Sequence, residues 1–593
     1  MDTLLERGTP TTSIVQGAYA AFVKQDQDEL ATLPDPPSCR DRQLHPVLSD
    51  ADIRKMHKYG SVCTYRAGQQ MMEIGKPVPA MFVLLAGRAR VSRRDGLGRA
   101  RVLVEQEPAH TVGEIGQLSG RPSLVDVHAI DDVEAILIPP ERLRKLLIAE
   151  AELGERLMRS MILRRVRLIE GGSGPVIVGR PDEARVVALQ EFLASNSHPH
   201  TVIDAFGDPD GAAWLRRVTK SEEDLPLVIC PDGSVLRAPS EAELASQLGW
   251  LAHFDAERVY DVAVIGAGPS GLAAAVYAAS EGLSVAVFDA RAPGGQAGAS
   301  MRIENYLGFP TGITGQALAA RAFVQAQKFG AQIVVPARIS SLDCHCSPIE
   351  LELDNDRLVK CHTVVIATGA AYRRPRIDGL DGFEGRGTYY WASPVEAEIC
   401  KGKEVVLVGG GNSAGQAIVY LASRVAHVHV LVRGSDLDAS MSRYLIDRIG
   451  ALSNVTLHMQ TQVVGIEHER GSITAVRSRR PEGEDVLKTS HLFFFTGATP
   501  NTGWLGNGEV MTDEKGFVLT GPALRARTGL VRASLETSVP GVFAIGDVRS
   551  GSIKRVAAAA GEGAAVVANV HEFLAATRDR ARDLHGHASM RTH

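Results

Sequence analysis

The stretch that decides the fold is Val262-Ala-Val-Ile-Gly-Ala-Gly-Pro-Ser-Gly271, and a second version follows as Val405-Val-Leu-Val-Gly-Gly-Gly-Asn-Ser-Ala414. Each begins as a short apolar strand and runs into Gly-x-Gly-x-x-Gly/Ala. Such a loop turns the strand sharply, lets backbone approach a pyrophosphate, and rests that anion on the N-terminus of the next helix. The glycines are Gly266, Gly268 and Gly271, then Gly409 and Gly411 with Ala414. One copy is a common turn. Two copies in strand–loop–helix context predict two bound dinucleotides, most simply a flavin and a nicotinamide.

The first loop is followed by further parts of such a site. The strand LSVAVFDA ends in Asp289, placed to accept from ribose hydroxyls of an adenosine. A glycine turn Gly294-Gly295-Gln296 comes next, then IENYLGFP with Asn305, VVIATGA with Gly369, and GVFAIGDV with Gly546 and Asp547, then Arg555. In this order the motifs over about 258–575 resemble the low-molecular-weight thioredoxin reductases. The resemblance implies that Gly268-Pro269-Ser270 and Asp289 hold the adenylate half of FAD. It implies also that Gly295, Gln296 and Asn305 line the flavin, that Asp547 binds the ribitol, and that Arg555 reaches the isoalloxazine edge. Leu307 stands where the family has proline, and Val556 where it has glutamine.

Just before the second loop the family carries a Cys-x-x-Cys pair. Here Trp391 and Pro394 occupy those places, and Cys400 is alone. A lone apolar-flanked cysteine reads as packing. The seven cysteines, Cys39, Cys63, Cys230, Cys344, Cys346, Cys361 and Cys400, are odd in number and scattered. They predict a reducing compartment, no disulfide framework and, with only Cys344-x-Cys346 close together, no metal site. In the second loop Asn412 and Ser413 open the helix. The strand HVHVLVRG ends at Arg433, which fits the 2′-phosphate of NADPH better than the 2′-hydroxyl of NADH, although a solvated strand-end charge is the plainer alternative.

The preceding residues hold more. From 45 to 168, short period-two runs punctuated by glycine predict an antiparallel β-roll. Tyr65 with Gly68, Met81-Phe82 with Gly87, and Gly113-Glu114-Ile115 resemble the cyclic-nucleotide-binding domain. The resemblance implies a ribose contact at Glu114 and a phosphate contact at Arg121, which is shifted because the chain reads Arg-Pro-Ser-Leu there. From 174 to 250 the order β-α-β-α-β-β-α and the turn Leu225-Pro226-Leu227 resemble thioredoxin or glutaredoxin. The redox turn instead reads Arg180-Pro-Asp-Glu183, without cysteine.

The expected chain is therefore multidomain: an N-terminal β-roll, a central thioredoxin-like α/β unit, and a C-terminal pair of dinucleotide-binding α/β units. The FAD unit spans 257–372 and 495–575, the nicotinamide unit 373–494; 1–40 and 576–593 are expected to be flexible. A net charge of −5 gives no footprint for nucleic acid, and no apolar run nears the ~20 residues of a membrane span. The start MDTLLERG lacks a signal pattern, so the expected location is cytoplasmic, and the resemblance implies a homodimer. Three functions remain open. One is an NAD(P)H flavoprotein reducing a protein or small-molecule acceptor. The others are a thioredoxin-disulfide reductase using other cysteines and a non-catalytic sensor.

Overall fold

The computed structural model describes residues 43–589 except 114, 173, 208–223, 251–256 and 507. The expected N-terminal flexible segment, the helix expected at 211–219 and Glu114 lie outside the described residues.

The front unit is built from two four-stranded antiparallel sheets. Its central strands, Met81–Ala86 and Val133–Ile138, are buried on both faces. Their side chains alternate. Met81, Val83, Ile136 and Ile138 join Leu143, Leu146, Leu153 and Leu157 of the following helices, whereas Phe82, Leu84, Ala135 and Val133 fill the roll. A period of two sends neighbours to opposite faces, so one strand serves both cores. Gly87, at φ +76°, makes the turn where a Cβ would stand 2.2 Å from the Asp132 carbonyl.

The helix Ala151–Glu170 leads into a four-stranded mixed sheet. Thr201–Asp204 and Val176–Gly179 run parallel, and Leu227–Ile229 and Val235–Arg237 continue antiparallel. Helices Ala184–Ser195 and Glu241–Gln247 cover one face through Val186, Phe192, Leu193 and Leu244. Cys230 lies in that core, 1% exposed.

The seven-stranded sheet that follows carries Val285–Phe288, Val259–Ile265 and Leu358–Ile366 as parallel neighbours. Ala263 and Ile265 face one core, Val262 and Val264 the other. Near-continuous apolar strands of this kind belong to sheets covered on both sides. A five-stranded, wholly parallel sheet, from Thr388–Tyr389 to Val455–His458, stands beside it. The chain passes between these two sheets along a two-stranded ribbon, Ala370–Tyr372 paired with Ala498–Pro500. The last helix runs Val556–Ser589. Residues 576–589, expected to be flexible, thus extend a helix anchored by Val566, Val567 and Val570 in the core. No described helix is long and apolar enough to cross a membrane.

Candidate functional site

Sterics explain each glycine of the first loop. Gly266, at φ +109°, gives its N–H to the Phe288 carbonyl at 2.7 Å, and a Cβ there would meet the Ala367 carbonyl at 2.3 Å. A Cβ at Gly271 would fall 1.9 Å from the Gly266 carbonyl. Gly268 differs: its Cβ would meet nothing within 4 Å. It caps helix Pro269–Ser280 without a side-chain hydrogen bond, so no capping side chain occupies the N-terminal end of that helix. Gly294 donates its N–H to the Ala267 carbonyl at 2.8 Å, and a Cβ at Gly295 would lie 3.2 Å from Gly268 Cα. The two glycine turns therefore form one cradle.

Asp289 closes the cradle from the side. Its carboxylate accepts from the backbone N–H groups of Ala267 at 2.8 Å, Arg291 at 3.0 Å and Ala292 at 3.1 Å. Burial pushes its pKa up, against the pull of these amides. A carboxylate offers about four acceptor positions, so one remains for a ribose hydroxyl. Asp289 thus organises the loop, a role that its position at a strand end did not announce.

At the far end Gly546, at φ +72°, leaves room for Ser270, whose Oγ would lie 2.5 Å from a Cβ. The Gly546 N–H donates to Glu562 Oε2 at 2.6 Å, and Glu562 is paired with Arg549. Burial raises the Asp547 carboxyl, and Lys554 draws it down. Thr368 and Asn501 exchange hydrogen bonds at 2.9 and 2.8 Å across the crossing ribbon, beside Gly369. Gln296 donates its amide to the Ala370 carbonyl. Asn305 and Arg555 are exposed, and Leu307 is 92% exposed. Sequence reasoning missed Asn501, Glu562 and Arg549, which lie outside the motifs.

The second loop repeats the plan. Gly409 donates its N–H to the Leu431 carbonyl at 3.1 Å, and a Cβ there would stand 2.7 Å from the Phe495 carbonyl. Helix Asn412–Ala422 has Gly411 as an N-cap without a side-chain bond, and Ala414 packs in the core. Asn412 Oδ1 accepts from the Ser442 N–H at 2.7 Å, so its side chain braces the loop, while Ser413 is exposed at the helix start. Arg433 is exposed beyond strand His427–Leu431. Both uncapped, open glycine loops fit a pyrophosphate.

Between the units lies a cleft of about 450 Å³, lined among others by Glu191, Asn196, Asp289, Gln296, Tyr372 and Trp391. The Trp391 indole N–H donates to Glu191 Oε1 at 3.0 Å and to Glu396 Oε1 at 3.1 Å. Pro394 opens helix Pro394–Ile399, and Ser393 caps it reciprocally with Glu396. Cys400 ends that helix fully buried, its thiol pushed up to about 12 by burial.

The structure places Arg121 away from the β-roll cavity. Its guanidinium donates to the Asn196 carbonyl at 3.0 Å and to Asn196 Oδ1 at 3.1 Å, and lies 4.6 Å from the Trp250 ring centre. It joins the front and central units. The arginines that line the small apolar cavity of the roll are Arg164 and Arg167. Arg164 donates to the carbonyls of Leu44 and Gly113 and to Thr111 Oγ1, and burial brings its pKa down to about 10. Arg164 shares its helix with Arg156, Arg159, Arg165 and Arg167, so nothing local marked it.

Comparison with known proteins completes the site. A sequence profile described as pyridine nucleotide-disulphide oxidoreductase matches residues 260–563, and one described as cyclic nucleotide-binding domain matches 62–150. NADPH-dependent thioredoxin reductase 3 of Arabidopsis thaliana is 35% identical over 326 residues, 54% of this chain and 59% of that protein. A component of the alkyl hydroperoxide reductase of Escherichia coli (strain K12) is 29% identical over 329 residues, with the same coverage. The chain thus spans only 59% of the length of these two relatives. The thioredoxin reductase of Mycoplasmopsis pulmonis is 31% identical over 312 residues, 94% of its length. Among solved structures, T. acidophilum thioredoxin reductase is 30% identical, with a TM-score of 0.49 over 53% of this chain and 99% of that one. The profile over residues 260–563 and the sequence relatives make the chain a member of the pyridine nucleotide-disulphide oxidoreductase family, whose enzymes are NAD(P)H-dependent flavoproteins.

Proposed function

We propose that the chain takes hydride from NADPH, or less readily NADH, onto FAD and passes the electrons to an acceptor without a dithiol relay at 391 and 394. FAD, when bound, supplies the two-electron carrier between nicotinamide and acceptor. The open space at Gly268 and the helix amides behind it bind the flavin pyrophosphate. Asp289 takes a ribose hydroxyl, and Gly546, Asp547, Gly295 and Gln296 hold the ribitol and ring side. Gly411 and the amides of Asn412 and Ser413 bind the nicotinamide pyrophosphate, with Arg433 on the 2′-phosphate.

The observation that carries this reading is Trp391, whose indole is tied to two carboxyls where the family's first cysteine would stand. The remaining thiols support it. Cys400, Cys344 and Cys230 are pushed to about 12, 12 and 11, burial being the largest cause each time. Thiols held protonated are poor nucleophiles. Cys346 is also raised, by its hydrogen bond to Asp343. The relatives' names favour a second reading, disulfide reduction through other cysteines. In our reading the central unit is thioredoxin-like by strand order but redox-silent, and it serves with the front unit in control.

The test is anaerobic titration of the purified protein with NADPH and NADH, followed by an acceptor panel that includes thioredoxin-coupled reduction of a dye-labelled disulfide. Bleaching of the flavin with reduction of non-disulfide acceptors alone is expected. No bleaching refutes the enzyme reading, and efficient disulfide reduction refutes the absence of a relay.

A further inference from the structure

The nicotinamide unit touches the central unit through an unusual group. Glu191 projects from helix Ala184–Ser195 of the central unit, and Glu396 from helix Pro394–Ile399 of the nicotinamide unit. Their carboxyls meet at one donor, for Glu191 Oε1 and Glu396 Oε1 both receive the Trp391 indole N–H, at 3.0 and 3.1 Å. Two carboxylates gathered on one N–H in a buried contact repel each other, which favours the neutral form of one acid. Glu396 is the more enclosed, with the whole residue 2% exposed, whereas the Glu191 side chain is 12% exposed and has Arg291 3.6 Å away. The proton therefore belongs to Glu396.

We propose that Glu191, Glu396 and the Trp391 indole between them form a proton-dependent latch that holds the nicotinamide unit against the central unit and releases it when the pair loses its proton. The proposal rests on the functional reading above in one respect: it explains how the front half acts on the nicotinamide unit. The tether permits release, because the nicotinamide unit joins the flavin unit through the ribbon Ala370–Tyr372 and Ala498–Pro500, with Gly497 at φ +98° beside it and open space around. Another contact across that gap is the exposed pair Arg448–Glu304 at 2.7 Å.

The groups facing the pair set its range. From the flavin unit comes Arg291, itself bound in two-pronged fashion by Glu241 of the central unit. From the nicotinamide unit come Tyr389, Tyr420 and Cys400, each pushed up mainly by burial and further by the Glu396 charge. Asp182 adds to the negative field at Tyr389. Burial, then Glu191, raises the Glu396 carboxyl to about 8. A carboxyl that binds its proton more tightly when docked favours docking at low pH. The docked fraction relative to the released one then falls by up to about tenfold per pH unit, from the ordinary carboxylate range to the docked value.

Full-length, FAD-loaded protein carrying fluorotryptophan reads the latch directly. Of the four tryptophans, Trp391 is assigned by Trp391→Phe. Its fluorine resonance is expected to move as pH rises from about 5 to 9 and to level off at the top of that range. In Glu396→Gln, and independently in Glu191→Gln, a neutral amide removes the repulsion between the two acids, so the resonance should stay at its acid position throughout. A resonance that ignores pH in the unmodified protein, or titrates unchanged in both variants, overturns the latch. Flavin bleaching by NADPH in the same samples reports separately on the proposed function.

Discussion

Gly268→Val separates cofactor binding from folding, because the space beside Gly268 belongs to no protein atom. The residue has φ −71° and ψ −178°, a conformation that valine adopts freely, and its Cβ would meet nothing within 4 Å. The apoprotein should therefore keep its stability, with a gain of about 0.4–1 kcal/mol from a stiffer unfolded chain at most. FAD should suffer. If the side chain pushes the pyrophosphate off two helix amides, each charge-assisted bond contributes about 1.5–3 kcal/mol, for a total of roughly 3–6 kcal/mol. At about 1.4 kcal/mol per factor of ten, affinity falls some 10²- to 10⁴-fold. Gly271→Ala is the contrast, since its Cβ would lie 1.9 Å from the Gly266 carbonyl. It should destabilise the apoprotein itself by about 1–3 kcal/mol. Thermal melts of flavin-stripped protein, paired with titration of FAD by fluorescence quenching, measure both quantities. If Gly268→Val binds FAD within about threefold of the unmodified protein, no pyrophosphate lies there. If it melts as low as Gly271→Ala, the open space is an illusion of the free loop.

Three further outcomes follow from the same geometry. Dithionite titration should end after a single two-electron equivalent per FAD, because Cys400 and Cys230 are buried, Cys344 is partly buried, and burial holds all three thiols protonated; a second equivalent would reveal a hidden dithiol. Arg433→Glu should raise KM for NADPH about tenfold or more while leaving NADH nearly unchanged, and an equal effect on both would make Arg433 a solvated charge only. The central unit should be acid-labile. His198 and His200 are buried, His198 well below the ordinary histidine value through burial and the nearby Arg165 and Arg121, and His200 down to about 4 through burial. Below about pH 6.5 the unfolded chain takes up protons that the folded chain refuses. Their stability is thus complete above that value and lost toward pH 4, by up to about 3 kcal/mol for His200 alone, and denaturant melts of His200→Gln across that range should show a flatter loss.

Local chain chemistry determined a large part of this protein. Gly266, Gly271 and Gly409 are required by contacts with backbone that the loop itself or its neighbouring strands supply, so the motif carries its own reason. The apolar runs Met81–Ala86 and Val259–Ile265 likewise state which strands are covered on both faces. The tail did not follow this pattern. Residues 576–589 look polar and weakly ordered, yet they extend a helix whose earlier turns are pinned by Val566 and Val570. Propagation from an anchored helix is easier than starting one.

Only tertiary structure decided the chemistry between units. Arg121 has the sequence position of an anion ligand, but its planar cation lies over Trp250, 129 residues away, and bonds Asn196. The cavity of the roll is faced instead by Arg164 and Arg167, which no motif distinguished. Glu191 and Glu396 lie 205 residues apart and read separately as ordinary helix-surface acids. Packing buries them against each other and Trp391, and low polarity makes a proton the cheapest way to join them. Backbone geometry is short-ranged and therefore written in neighbouring residues. The charge state of a buried side chain depends on what the rest of the chain brings against it.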